Sequence, residues 1–330
     1  MKIAKTSVLI KLASAALIFS LSHGAYAATL LKLAYAENSE PVKQALQYIG
    51  KAVEQKTNGE VKIQYFPDSQ LGGERELVEM TQVGAIDLTK VSSGLLESFS
   101  PLYGVFSLPY LFKDQESFYQ VMDNPQIMEP VYRATEAQGF TGVAWYDSGA
   151  RSFYTGKAPI KSVSDLKGKK IRVMQSETSI ETIKLLGASA IAMSQGEVYT
   201  SLQQGIIDGA ENNEFALTIA RHGEVAKYYT YDMHTRIPDI VIMSNLTKTK
   251  LTPEQLQALQ EAIDESINVE KKAWREEIEK ARVQAQTQFG VEFFDIDTEP
   301  FKAAVQPIYE KLKSKPQVYE LYQKISQASQ

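Results

Sequence analysis

Apolar and polar positions along this 330-residue chain change period several times, and the changes divide it into elements. Residues 30–36 read as a strand and residues 61–66 alternate as a second one. Between them, residues 41–57 carry Val42, Ala45, Leu46, Ile49 and Val53 at spacings of three and four, the apolar face of a helix that Asn58-Gly59 stops. Pro67-Asp68 is a turn. Gly72-Gly73 leads into a helix over 74–83 that Gly84 closes, and residues 86–91 form the next strand. This β-α-β-α-β order predicts a largely parallel sheet with helices on both faces. Residues 107–112, SLPYLF, read as buried chain at a lobe edge, 114–123 and 125–138 as helices, and 141–146 as a strand.

The pattern then restarts. Residues 153–155 are extended, Asp165-Leu166-Lys167-Gly168 is a helical turn, and 171–174 is a strand. Helices over 179–186 and 196–204 end at Gly187 and Gly205, and 206–210 is a strand. Gln82-Val83-Gly84-Ala85-Ile86-Asp87 and Gln203-Gln204-Gly205-Ile206-Ile207-Asp208 share one pattern, a helix closing on Gly and a strand opening with Ile-Asp. Such joints are common, so the echo alone is a weak sign of two duplicated lobes.

Residues 253–289 form the most distinctive stretch. Leu256, Leu259, Ile263, Ile267, Trp274, Ile278, Ala281, Ala285 and Phe289 recur along one helical face. Thr252 is the expected N-cap, Pro253 suits the first helical position, Gln255 completes a capping box, and Gly290 stops the helix. At ~1.5 Å per residue the helix would be ~55 Å long. A lobe of about 130 residues has a radius of gyration of only ~14 Å. The helix is therefore kinked or runs across two lobes. The alternative is a coiled-coil dimer helix, against which Asn268 and Lys271 interrupt the seam.

Composition adds the compartment. Residues 1–11 carry three lysines and no acid, residues 12–21 are apolar, and Ala25-Tyr26-Ala27 is a small-residue cleavage site. This is the pattern of a signal peptide, cleaved near Ala27 for export to a periplasm. A retained anchor is the alternative, but the apolar run is too short to span a bilayer comfortably. The chain has no cysteine, which excludes disulfides and argues against a lipoprotein anchor. Without the leader, 32 basic residues face 40 acidic ones, a net charge of about −8. Nucleic acid is a poor partner for that balance.

Candidate chemistry is sparse. His222 and His234 are the histidines left after the leader, and they form neither H-x-H nor H-E-x-x-H. Nothing in the spacing supports a metal site or a catalytic triad, so both read as structural. No cofactor motif stands out. Arg151 follows a strand-to-loop junction at Asp147-Ser148-Gly149-Ala150. Arg172 alternates with Ile171 and Val173 and so points to the other face of its strand. A guanidinium is a planar, always-charged fork that matches a carboxylate. Asp208-Gly209-Ala210-Glu211-Asn212-Asn213 follows a strand end, where α/β proteins place ligands. Each of these also has a plain reading, as a solvated Arg or as turn chemistry. An enzymatic reading, a secreted sugar-acid hydrolase or lyase, would take Glu197, Asp208 and Glu211 as acid/base carboxylates.

The ordered motifs G-A-R, P-I-x-S-V-x-D-L-K-G-x-K-I-R-V, L-G-A and G-E-V-Y-x-x-L-Q-x-G-x-x-D-G-A-E-N-N run from Trp145 to Asn213. With F-P-D-S-Q-L-G-G-E-R-E-L and S-L-P-Y-L-F upstream, the chain resembles the DctP-type substrate-binding proteins of TRAP transporters over essentially its whole mature length. The resemblance implies an α/β, two-lobed periplasmic-binding-protein fold with hinge strands and a long lobe-spanning helix. One lobe would take 28–148 plus about 238–277, the other 149–237 plus about 278–330. It implies a small organic acid as ligand, the small and large membrane subunits of the transporter as partners, a monomer and no catalysis.

The resemblance also assigns roles. Arg172 matches the family's main carboxylate-pairing residue, Arg151 a second contact to ligand oxygens, and Asn212 an Asn that also holds the carboxylate. Glu74 matches an acidic position that accepts hydroxyls. Gln175, after the strand, is a further hydroxyl contact. By their position at strand ends, and not from the resemblance, Glu37 and Asn38, and Ser92 and Ser93, face the cleft. Gln195-Gly196 stands where sialate-binding members carry an aromatic residue, and Ser where they carry an acid. R-S-F-Y-T with A-E-N-N is more similar to hexuronate-binding members, those for glucuronate or galacturonate, with other hydroxy or keto acids as the alternative.

Overall fold

The computed structural model describes residues 28–329. The leader expected over 1–27 lies outside them. The strands form two sheets. The first, in the order β2-β1-β3-β10-β4, joins β1 (Thr29–Tyr35), β2 (Val61–Phe66), β3 (Leu88–Ser92), β4 (Phe140–Tyr146) and β10 (Asp239–Ser244). The second, in the order β11-β9-β5-β8-β6-β7, joins β5 (Arg151–Thr155), β6 (Lys170–Val173), β7 (Ser189–Ala192), β8 (Gly209–Asn212), β9 (Tyr228–Thr235) and β11 (Glu292–Asp295).

Both sheets follow one plan. β1 is parallel to β2 and β3, and β6 is parallel to β7 and β8. Beside each parallel trio lies one antiparallel strand that arrives from the other sheet. β10 pairs antiparallel with β3 and β4, and β5 pairs antiparallel with β8 and β9. The first sheet is therefore largely parallel, as its sequence order predicts, with β10 as its one reversed strand among the described residues. The exchange of β5 and β10 is invisible in that order.

The repeated helix–Gly–Ile–Asp joint is structural. Gly84 and Gly205 both sit at φ 70. Asp87 accepts from the Lys32 amide at 2.8 Å, and Asp208 accepts from the Lys170 amide at 2.9 Å. Each aspartate thus pins the start of its strand to the neighbouring one.

The helix Pro253–Phe289 is unbroken over 37 residues. Thr252 and Gln255 cap each other's backbone as a capping box, and Gly290 at φ 66 ends the helix. Leu259, Ala262 and Ile263 pack with Val42, Leu46 and Ile49 under the first sheet. Further along, Trp274 meets Phe215 edge-on at 5.1 Å, and Ala285 joins the core of the second sheet. The helix spans both lobes, which accounts for its length.

The chain crosses between lobes at residues 147–150 and 236–238. Asp147 ties these crossings together. Its amide donates to Glu270 of the long helix at 3.0 Å, and its Oδ1 accepts from the Gly149 amide at 2.8 Å. Arg236 reaches it from the second crossing at 3.4 Å. Gly149 needs its freedom: at φ 65 an added Cβ would stand 2.6 Å from the Trp274 ring.

The C-terminal tail returns to the first lobe. Phe301 and Val305 pack in the second lobe, but Ile308, Leu312, Val318, Leu321 and Ile325 join Phe118, Val105 and Trp145. Val318, Leu321 and Ile325 make one apolar helical face that covers this core. The sequence placed the whole of 278–330 with the second lobe.

Candidate functional site

The C-terminal edges of the two sheets face each other across the crossings. On the second wall, Ile171 and Val173 bury into the core and leave Arg172 on the opposite face of β6. Arg172 is only 3% exposed. Its Nε and Nη2 donate to the Met193 carbonyl at 3.0 and 2.8 Å, and its Nη1 donates to Gln195 Oε1 at 3.1 Å. These contacts hold the fork side-on. No carboxylate pairs with it among the described residues, and burial pulls its pKa below the ordinary value. A buried cation without a counter-ion is costly, and a carboxylate ligand would relieve that cost.

Arg151 is differently placed. Its Nε and Nη2 grip both carboxylate oxygens of Glu211 at 2.5 and 3.0 Å, and Nη2 also donates to the Glu211 carbonyl. Nη1 donates to Asn212 Oδ1 at 2.8 Å. The sequence offered Arg151 to ligand oxygens. In the structure its charge is committed to Glu211, because β5 and β8 are neighbours and bring the two together. Its effect on the cleft passes through Asn212. With Oδ1 taken by Arg151 and by the Asn213 amide, the Asn212 Nδ2 group is left as an open donor.

Behind this wall lies a buried charge network. Burial opposes ionisation of Glu211, but Arg151 and His234 outweigh it and lower its pKa to about 2. Burial also opposes the charging of His234. Asp232 at 2.7 Å, with Glu211, prevails and raises the imidazole to about 9. His222 donates to or accepts from Tyr154 at 2.8 Å, and burial lowers it to about 3. Both histidines sit inside the protein, as their lack of motif suggested.

On the first wall, Glu74 opens the helix Glu74–Gln82 and its Oε1 accepts from the Ser92 amide at 3.1 Å. Burial raises its pKa to about 7, against the opposing pull of Lys90. Glu37 is fixed by the Ser39 amide and by Lys90 Nζ at 3.2 Å. Lys90 also pairs with Asp239 at 2.7 Å. Sequence reading missed Lys90 and Asp239. The available signal was one lysine inside the otherwise buried strand L-T-K-V-S and one acid opening D-I-V-I-M.

The remaining expected residues are engaged elsewhere. Asn38 donates to Asp68 at 3.2 Å. Ser92 caps the short helix Ser93–Leu96 and touches Met174 Sδ of the other lobe at 3.3 Å. Ser93 is fully buried and its hydroxyl has no partner among the described residues. Gln175 accepts from Arg75 of the first lobe at 3.2 Å.

Gln175 belongs to a clasp at the cleft mouth. Glu97 of the first lobe accepts from Ser176 Oγ at 2.5 Å, Thr178 Oγ1 at 2.6 Å and the Thr178 amide at 3.2 Å. Its carboxylate thus sits at the N-terminus of the helix Glu177–Leu185, where negative charge is favoured. Glu97→Ala is expected to cost the closed arrangement about 1 kcal/mol, a loss of about fivefold in ligand affinity by calorimetry. Unchanged affinity would show that the clasp does not bear on closure.

The carboxylates of the enzymatic reading are all in structural use. Glu197 closes a capping box with Ser194, Asp208 pins Lys170, and Glu211 holds Arg151. Among the described residues no cluster of His, Cys, Asp and Glu is arranged to hold a metal ion.

Two sheets that exchange one strand each, tied by one long helix around a polar cleft, make a two-lobed solute-binding protein. The chain belongs to the bacterial extracellular solute-binding protein family 7, the DctP family, whose sequence model matches residues 34–315. It is 69% identical over 319 residues to the Salmonella typhimurium protein YiiZ, covering 97% of this chain and 98% of that one. A TRAP periplasmic solute-binding protein from Anaerococcus prevotii, solved with bound α/β-D-glucuronate, superposes with a TM-score of 0.88 at 40% identity, covering 91% of this chain and 98% of that one. One from Xanthobacter autotrophicus with bound β-D-galacturonate gives 0.85 at 36% identity, covering 90% and 99%. The family is one of transport receptors and not of enzymes, which sets the hydrolase or lyase reading aside.

Proposed function

We propose that this protein is the periplasmic receptor of a TRAP transporter and that its ligand is a hexuronate, glucuronate or galacturonate. The observation that carries the reading is Arg172, a guanidinium buried without a counter-ion on one wall of the cleft. The bound sugar acids of the Anaerococcus and Xanthobacter proteins support it. A hexuronate has one carboxylate and a ring of hydroxyls. Arg172 and the Asn212 amide take the carboxylate, and Arg151 holds Asn212 in place. Glu74 and Glu37 face the hydroxyls, and Gln175 holds the mouth through Arg75. The lobes are 28–148 plus about 238–277, and 149–237 plus about 278–306, with the tail returning to the first. Neither wall binds well alone, so ligand shifts an open–closed equilibrium. The mature chain acts as a monomer and delivers its ligand to the small and large membrane subunits.

A thermal-shift screen of the mature chain tests the reading. Free ligand at about a hundredfold over Kd adds about 2.7 kcal/mol of stability. Glucuronate or galacturonate is expected to raise the midpoint more than aldonates, keto acids, ectoines or sialate. A larger shift with a keto acid, or none with either hexuronate, would overturn the hexuronate assignment.

A further inference from the structure

Lys90 and Asp239 lie on different strands, 149 residues apart in sequence, and the sheet makes them diagonal neighbours on one face. Val241 stands opposite Lys90 in the register, and Asp239 stands opposite Ser92. Both side chains are buried, Lys90 at 1% and Asp239 at 6% exposure. Lys90 donates to Asp239 Oδ2 at 2.7 Å and to Glu37 Oε2 at 3.2 Å. A lysine has three donors and no acceptor, so it can hold two carboxylates in a fixed relation. It leaves each acid's other oxygen to its own surroundings. Asp239 Oδ1 has no hydrogen-bond partner among the described residues and is not sealed from solvent. The same holds for Glu74 Oε2 on the same wall. Across the cleft, the charge of Arg151 acts on Asp239 and that of Arg172 acts on Glu74, yet no ion pair joins the walls at these residues. Two carboxylate oxygens on this wall and the Arg172 fork on the other are thus left without an ionic partner among the described residues. A ligand with a carboxylate at one end and hydroxyl donors at the other satisfies both.

We propose that Asp239, positioned by Lys90, is a specificity-determining residue of the first lobe that accepts a ligand hydroxyl beside Glu74. The inference rests on the hexuronate reading and deepens it. One hydroxyl–carboxylate hydrogen bond in a buried site contributes about 1.5–3 kcal/mol, or about ten- to hundredfold in affinity. Selectivity for a hydroxylated acid over a deoxy analogue then follows from one side chain, because the analogue leaves a buried carboxylate oxygen unpaired.

A cycle between protein and ligand tests this. Calorimetry would compare wild type and Asp239→Asn on the mature chain, with the parent hexuronate and with derivatives each lacking one ring hydroxyl. Asn keeps the shape and an acceptor for Lys90 but can turn a donor to the ligand. Asp239→Asn is expected to weaken the parent about ten- to hundredfold, and to cost less than about threefold with one particular deoxy derivative, since the two losses share one contact. Lys90→Gln should show the same insensitivity to the same derivative, and it serves in place of Asp239→Asn if that variant does not fold. An equal cost with the parent and with every deoxy derivative would mean a structural role and overturn the inference, as would no cost at all. Wild-type protein that binds no hexuronate overturns the underlying reading, and the inference falls with it.

Discussion

Arg172→Ala is expected to abolish measurable binding of the sugar acid, and Arg172→Lys to recover little of it. Removing one partner of a buried ion pair costs about 3–5 kcal/mol, because the other charge is left unpaired, and that is a loss of at least about a hundredfold in affinity. The lysine prediction follows from geometry. One edge of the fork is spent on the Met193 carbonyl and one donor on Gln195. The donors that remain lie in the same plane and can meet a carboxylate at a fixed angle. A lysine ammonium is a point charge on a flexible stem and cannot serve both sides at once. Isothermal titration with glucuronate and galacturonate is the measurement. Wild-type affinity in the lysine variant would refute the clamp.

The second large effect is on stability. Glu211→Ala leaves Arg151 and His234 as buried cations facing each other, so it should destabilise the fold by about 3–5 kcal/mol in urea unfolding. The same network sets a pH profile. Glu211 titrates near 2 in the folded protein against an ordinary 4.5. Its contribution is complete above about 4.5 and is lost as pH falls toward 2. His234 titrates near 9 against an ordinary 6.5, so its contribution is complete below about 6.5 and is lost as pH rises through 9. Each shift corresponds to about 3 kcal/mol, and the two are not additive because they share one contact. The contributions of Glu211 and His234 are thus both complete between about pH 4.5 and 6.5. Glu211→Gln should flatten the acid limb, while a variant with an unchanged acid limb would show that Glu211 is not its source.

The role of Glu211 shows what sequence reading can mistake. Beside Gly209 and Asn212 it looked like candidate chemistry. In the structure it is the counter-ion of Arg151, a residue 60 positions away. Arg151 looked like a ligand fork for the same reason, since a strand-end arginine does not announce that its partner is already built in. Among the strands, β7, β9, β10 and β11 went unread. β10 is buried throughout, so it has no alternation to detect, and β9 breaks register with β5 around Arg151 and Phe153. Period-based reading needs one wet face and one dry one.

Local physics carried the rest. The helix over 253–289 was legible to the residue, because capping box, apolar stripe and terminal glycine are all short-range. Burial of Ile171 and Val173 with Arg172 opposite follows from the two-residue period of a strand. The repeated Gly–Ile–Asp joints were visible as pattern, and only the hydrogen bonds to Lys32 and Lys170 made them the same joint. By itself, then, the sequence determined most of the local elements, the single long helix and the family. The tertiary structure alone decided which charges are free. Arg151 is neutralised by Glu211, Arg172 is not neutralised, and Lys90 joins Asp239, because strands exchanged between lobes bring together residues that no local spacing relates.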